Sequence, residues 1–217
     1  MNTSFPVSRR QFLQASLAAT AGAAVFPTIV PASVLGADAP SKKIQVGQIG
    51  CGRIALGMDL PGIIKHDIAR VVAVCDLDSK RLANARKFVE DAYAKKPGSA
   101  KAVAVNAYGN YRELLKDPQV DAVAISTPDH WHSEPIIAAA LAGKDIYVQK
   151  PLTMTLVEGR AVSDIVRARK RAFQIGSQQR SAPQFRYAAE LVRNGRIGQL
   201  KTVYVGLPGD PSGEEEA

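Results

Sequence analysis

Strands and helices alternate along nearly the whole chain, which predicts an α/β fold built on a doubly wound parallel sheet. An apolar strand runs straight into the turn Gly50-Cys51-Gly52-Arg53-Ile54-Ala55, and a second apolar run, Val71 to Cys75, ends in the acid Asp76. The run Ala122–Ile125 is wholly apolar, as a strand covered on both faces should be.

The elements follow in order. Lys43–Ile49 reads as strand one and Ile54–Lys65 as the helix after it, with Pro61-Gly62 marking a point of breakage. Arg70–Cys75 is strand two, and Asp78 caps a helix running to Ala94. After the polar stretch Lys95–Lys101 comes a short strand near Asn106–Tyr108, then a brief helix, Asn110–Lys116, ended by Asp117-Pro118. The Ala122–Ile125 strand precedes a helix from Ser133 to Ala142 that Gly143 stops. Asp145–Gln149 is a strand, and Thr155-x-x-Glu158 is the signature of a capping box opening a helix to Lys170. Ala172–Gly176 is a sixth strand, Pro183–Asn194 a helix stopped by Gly195, and Lys201–Val205 a last strand.

The glycine turn has a chemical purpose. Gly50 permits the tight turn, Gly52 lets backbone N–H groups approach a pyrophosphate, and Ala55 lets the next helix pack close to its strand. The helix N-terminus presents free N–H groups and the positive end of its dipole to the phosphates. Asp76 stands about 20 residues beyond the turn, where a carboxylate accepts the ribose hydroxyls. Alone, the turn is a common βα connection; the strand before it, the helix after it and the acid together predict a dinucleotide-binding Rossmann domain.

At the N-terminus, Ser8-Arg9-Arg10-Gln11-Phe12-Leu13 matches a twin-arginine export signal, followed by an Ala-rich apolar stretch and small residues at Leu35 to Ala39. Pro27 and Pro31 interrupt that stretch and leave fewer than the ~20 apolar residues a membrane span needs, so no stable membrane insertion is expected after processing. Cleavage is expected after Ala37 or Ala39, with the twin-arginine translocase as partner in transit and a periplasmic or otherwise exported destination. Because that pathway moves folded chains, a cofactor loaded before export and held tightly is expected. The chain then divides into residues 1–39 as signal peptide, 40–180 as the dinucleotide-binding domain, and 181–217 as a connecting helix and first strand of a second, α+β substrate domain of which only the start is present.

The formal net charge of +8 raises the question of nucleic acid. However, the Lys and Arg are spread along amphipathic helices without aromatic residues to stack bases, so nucleic acid is not an expected partner. Three histidines and two cysteines show no metal-ligand spacing. Cys51 and Cys75 fall close to each other in the expected sheet, and free buried thiols are the expectation for both. His66 suits a helix C-terminus as a cation, and Tyr108, Tyr111 and Tyr147 read as packing residues.

Ligands on such sheets bind at the carboxyl ends of the strands, where the sequence reads Ser126-Thr127-Pro128-Asp129-His130-Trp131-His132 and Gln149-Lys150-Pro151. With the glycine turn and Gly176-Ser177-Gln178-Gln179-Arg180, these segments resemble the glucose–fructose oxidoreductase, inositol dehydrogenase and rhizopine-catabolism oxidoreductase family (Gfo/Idh/MocA) over roughly Lys42 to Leu207. The resemblance implies that Gly50, Gly52, Arg53 and Ile54 cradle the pyrophosphate and that Asp76 takes the adenosine ribose, favouring NAD over NADP. It implies that Ser126, Thr127, Pro128, Gln149 and Gln178 line the cofactor site, with Arg180 facing cofactor or substrate. Lys150 would be the catalytic cation that stabilises a developing alkoxide, with His132 beside it as a second catalytic candidate; His130 and Trp131 read as loop packing.

Two departures stand out. The family usually has Glu where this chain has Gln149, which puts the tuning of Lys150 in doubt. Its Asp-x-x-x-His pair belongs to the second domain, and nothing beyond Lys201 supplies it, so this chain alone is expected to bind NAD but turn over little. The implied activity is hydride transfer on a sugar or polyol hydroxyl, by a homo-oligomer when full length. Two alternatives stay open: an NAD-dependent glycosidase of the same superfamily, and a non-catalytic sugar- or nucleotide-sensing protein.

Overall fold

The computed structural model describes residues 43–96 and 104–206. The signal segment and its cleavage site therefore lie outside the described residues, as does the side chain of Gln178.

Six strands form one sheet in the order β3-β2-β1-β4-β5-β6. They are β1 (Ile44–Ile49), β2 (Ala69–Cys75), β3 (Asn106–Tyr108), β4 (Ala122–Ile125), β5 (Asp145–Val148) and β6 (Phe173–Ile175). The order doubles back at β1 and β4, which makes the cleft above that pair the switch point where such sheets take ligands. Pairing of β1 with β4, β4 with β5, β5 with β6 and β2 with β3 is parallel. The register lines up Ile49, Ile125, Val148 and Ile175, so four strands deliver their following residues at one level.

Local sequence explains most of the helices. The helix α2 (Ser79–Ala94) begins where the Asp78 carboxylate accepts from the Lys80 and Arg81 amides, and α3 (Tyr111–Lys116) where Asn110 accepts from Arg112. Helix α4 (Ser133–Leu141) follows a single 3-10 turn, Asp129–Trp131, and ends before Gly143 at φ +76°. Helix α5 (Leu156–Ala168) carries the expected capping box: Thr155 accepts from the Glu158 amide and Glu158 reaches back to the Thr155 amide. Helix α6 (Pro183–Arg193) stops at Gly195, φ +66°.

The helix after β1 departs from expectation. Pro61 does not break it; the helix α1, residues 55–64, runs through with a π-turn over Ala55–Asp59 and an α-turn over Leu60–Ile64. Proline lacks the N–H that would bond back to residue 57 and its ring crowds that carbonyl. The chain widens one turn upstream, Leu60 donating to the Ala55 carbonyl.

The strand expected at Lys201–Val205 is not formed. Residues 201–206 have no regular structure, and Val203, Tyr204 and Val205 are exposed. A strand exists only through a ladder with a neighbour, and none of the described residues offers this segment one.

The core splits in two, as a sheet covered on both faces requires. Leu60 and Ile64 of α1 and Ala85, Val89 and Tyr93 of α2 close over Val71 and Val74. Leu114 and Leu115 of α3, Ile136 and Ala139 of α4, and Val162 and Val166 of α5 gather with Ile49, Val123, Ile125, Ile146 and Val148. Burial of these aliphatic side chains, at about 25 cal/mol per Å² of apolar surface, is what sets the strand ends in place.

Candidate functional site

Each strand end continues its neighbour's ladder by one residue before turning away. Gly50 N–H donates to the Cys75 carbonyl at 2.9 Å, Ser126 N–H to Ile49 at 2.8 Å, Gln149 N–H to Ile125 at 3.0 Å and Gly176 N–H to Val148 at 2.7 Å. Residues 50, 126, 149 and 176 thus share one rim, aligned by backbone bonds.

Gly50 sits at φ +81°, and a Cβ there would lie 2.8 Å from the backbone of Ser126 and Thr127. Both facts exclude any other residue without backbone movement. A Cβ on Gly52 would meet nothing within 4 Å, so the turn faces open space there. Leu56 N–H donates to the Gly52 carbonyl at 3.1 Å, which leaves the amides of Arg53, Ile54 and Ala55 without intrahelical acceptors. Arg53 is exposed, Ile54 half-buried and Ala55 buried against the sheet.

Asp76 is half-buried at the end of β2. Its Oδ2 accepts the Cys51 amide at 2.7 Å and its Oδ1 the Asp78 amide at 2.8 Å. It therefore braces the glycine turn, while each oxygen keeps a lone pair for a ribose hydroxyl. Cys51 and Cys75 are free and buried, with Cys51 Sγ 3.4 Å from the Cys75 carbonyl. Burial first, then the Asp76 carboxylate, pushes both thiols up to about 12; they are inert packing groups.

On the other half of the rim, Ser126 and Thr127 follow β4, and the exposed Pro128 opens the 3-10 turn. The Thr127 hydroxyl is buried without a hydrogen-bond partner. Lys150 is exposed and joined to Pro151 by a cis peptide bond.

His132 is placed differently from what its position in sequence suggests. It is 0% exposed. Its Nδ1 lies 2.5 Å from the Pro151 carbonyl and its Nε2 3.0 Å from the Thr127 carbonyl. With both nitrogens engaged and no open surface, the ring braces the corner after β4 against the corner after β5, and no ligand can reach it.

A buried polar cluster centred on Asp59 was not foreseen. Asp59 Oδ1 accepts from Gln149 Nε2 at 2.8 Å, and its Oδ2 accepts from Ser126 Oγ at 2.5 Å. Gln48 Nε2 donates to Ser126 Oγ at 2.9 Å and to the Gly50 carbonyl at 3.0 Å. Burial raises the pKa of Asp59, against the hydrogen bonds from Ser126 and Gln149. The available signal was an acid four positions after Ala55, on the helix face that Ala55 and Leu60 turn inward. Gln48 carried a similar one, a polar residue directly before Ile49 at the end of a largely apolar strand.

The arrangement fits a dinucleotide: an open cradle of free amides at the switch point, a carboxylate at the end of β2, and polar groups over β4 and β5. Among the described residues no His, Cys, Asp and Glu group could hold a metal ion, and no helix is long and apolar enough to cross a membrane.

Comparison with known proteins agrees. A family model described as oxidoreductase family, NAD-binding Rossmann fold (GFO_IDH_MocA) matches residues 44–177, and one for the twin-arginine translocation signal matches residues 6–26. The N-terminus thus carries a signal for export by the twin-arginine pathway. The chain is 35% identical over 163 residues to glycosyl hydrolase family 109 protein 2 of Shewanella sp. (strain ANA-3), covering 69% of this chain and 35% of that one. It is 41% identical over 87 residues to the scyllo-inositol 2-dehydrogenase (NAD(+)) of Bacillus subtilis (strain 168), covering 40% and 25% respectively. The crystal structure of KijD10, a 3-ketoreductase from Actinomadura kijaniata in complex with NADP, superposes with a TM-score of 0.62 at 27% identity, over 72% of this chain and 46% of that one. The chain spans less than half the length of the curated relatives it matches. With the matched region running from β1 past β6, the chain belongs to the Gfo/Idh/MocA oxidoreductase family and contains its NAD-binding Rossmann domain.

Proposed function

We propose that this protein is an exported NAD-dependent dehydrogenase acting on a sugar or polyol hydroxyl. The observation that carries the reading is the shared rim: free amides after Gly52, the Asp76 carboxylate, and exposed Lys150 all lie at the carboxyl ends of one parallel sheet. When bound, the nicotinamide would accept the hydride from the substrate carbon. The amides of Arg53, Ile54 and Ala55 would hold the pyrophosphate, and Asp76 would accept from the ribose and repel a 2′-phosphate, which favours NAD. Lys150 would donate to the substrate hydroxyl oxygen and stabilise its negative charge as the hydroxyl proton passes to a base, a role the family resemblance gives to the Asp-x-x-x-His pair of the second domain. Ser126, Thr127, Pro128, Gln149 and Gln178 would line the cofactor site. His132 would act as a positioning residue, fixing the carbonyls on either side of the reacting end.

The test is steady-state NADH formation by the full-length protein, its second domain included, over a panel of inositols and aldoses. Lys150→Ala should lower kcat/KM by roughly 100- to 1,000-fold while calorimetry gives an NAD dissociation constant close to wild type. Undiminished turnover in that variant would remove Lys150 from the mechanism.

A second reading is supported by the 35% identity to a glycosyl hydrolase family 109 protein: transient oxidation of a sugar that permits elimination, followed by its reduction. Release of free sugar from an aryl glycoside without net NADH would favour it.

A further inference from the structure

Asp59 is a buried carboxylate with no cationic partner among the described residues: it is 8% exposed, and both its oxygens contact only neutral groups. Gln48 donates to Ser126 Oγ, which leaves the Ser126 proton available to Asp59, and Gln149 donates from the other side. These two donors can satisfy an ionised carboxylate at Asp59. An anion removed from water without a counter-charge is costly. Burial raises its pKa accordingly, and the Tyr147 phenol on β5 is raised by burial and by the same nearby charge. A protein that only needed packing here would do better with an apolar residue.

Both partners of Asp59 stand immediately after β4 and β5. These strands belong to the β4–β5–β6 half, which in a sheet of this order takes the second mononucleotide. We propose that Asp59, held by Ser126 and Gln149, is the counter-charge for the oxidised nicotinamide, and makes the site prefer oxidised over reduced cofactor. This rests on the reading that the rim holds NAD. The oxidised ring carries a positive charge and the reduced ring carries none, so only the oxidised form gains from a fixed anion. A purely structural carboxylate would affect both forms alike.

The experiment is calorimetric titration of the full chain with NAD+, NADH and ADP-ribose, which lacks the nicotinamide. Asp59→Asn should weaken NAD+ relative to NADH by roughly tenfold, the scale of one unit charge about 10 Å away at an effective dielectric of about 20, and leave ADP-ribose unchanged. An unchanged NAD+/NADH ratio, even with both affinities lowered, overturns the proposal. If the Asn variant does not fold, Asp59→Glu decides: a ratio kept near wild type supports the counter-charge, and a shift toward NADH overturns it. Wild-type protein that binds none of the three ligands sinks the cofactor reading itself, a result distinct from binding with an unaltered ratio.

Discussion

Gly50 concentrates the constraints of the site in one residue. Its φ of +81° suits only glycine, and the space a Cβ needs is filled by the Ser126 and Thr127 backbone. Gly50→Ala should therefore cost about 2–4 kcal/mol of stability, combining left-handed strain with a forced shift of the β4 corner. Urea denaturation would measure the loss, and NAD titration should show affinity falling with it. The tight turn at Gly50 was legible in sequence because its positive φ is a property of that turn alone. Asp59 was not, since its partners lie 67 and 90 residues away in the chain. The burial of His132 was equally invisible: a histidine after a strand reads as open to ligand until the Pro151 carbonyl is seen against it.

At the scale of elements, starts and stops followed from local chemistry. The capping box on α5 is the cleanest case, with Thr155 and Glu158 bonded reciprocally. Thr155→Ala should cost about 1 kcal/mol and lower the thermal midpoint by roughly 2–4 °C, with NAD binding unaltered because α5 begins away from the glycine turn. A drop many times larger would mean that the box holds more than its own helix. Helix α1 shows where local rules stop. Pro61 disfavours a regular turn, but packing of Leu60 and Ile64 into the core keeps the helix going and the widened turn absorbs the missing bond. Residues 201–205 show the reverse, a strand-like sequence without a ladder.

At the scale of the molecule, the carboxylates predict an unusual acid profile. Backbone amides of Arg81 and Lys80 hold Asp78 below its ordinary range, and the Thr155 amide does the same for Glu158. Burial pushes Asp117 up, but the Gln119 amide, Asn106 and Tyr108 outweigh it and hold it low. Groups lowered in the folded state stabilise fully above the unfolded carboxylate values of about 3.9–4.3 and lose that contribution as pH falls through their depressed values. Asp59 has the opposite sign: raised on folding, it destabilises when ionised, and stability rises as pH falls through its value. The urea midpoint should thus rise slightly from neutrality toward the carboxylate range and fall below about pH 4. In Asp59→Asn the rise should vanish and the fall remain; a rise that persists would assign it elsewhere.

The sequence by itself determined the α/β class, nearly every element and the glycine turn, because periodicity, caps and turn residues act over a few positions. It also carried the export signal and the family motifs. Only the tertiary structure decided that Ser126 and Gln149 share a buried carboxylate, that His132 is enclosed, and that α1 survives its proline. Each of those depends on which side chains meet when strands distant in sequence become neighbours in the sheet, and on the cost of leaving a polar group unpaired once they do.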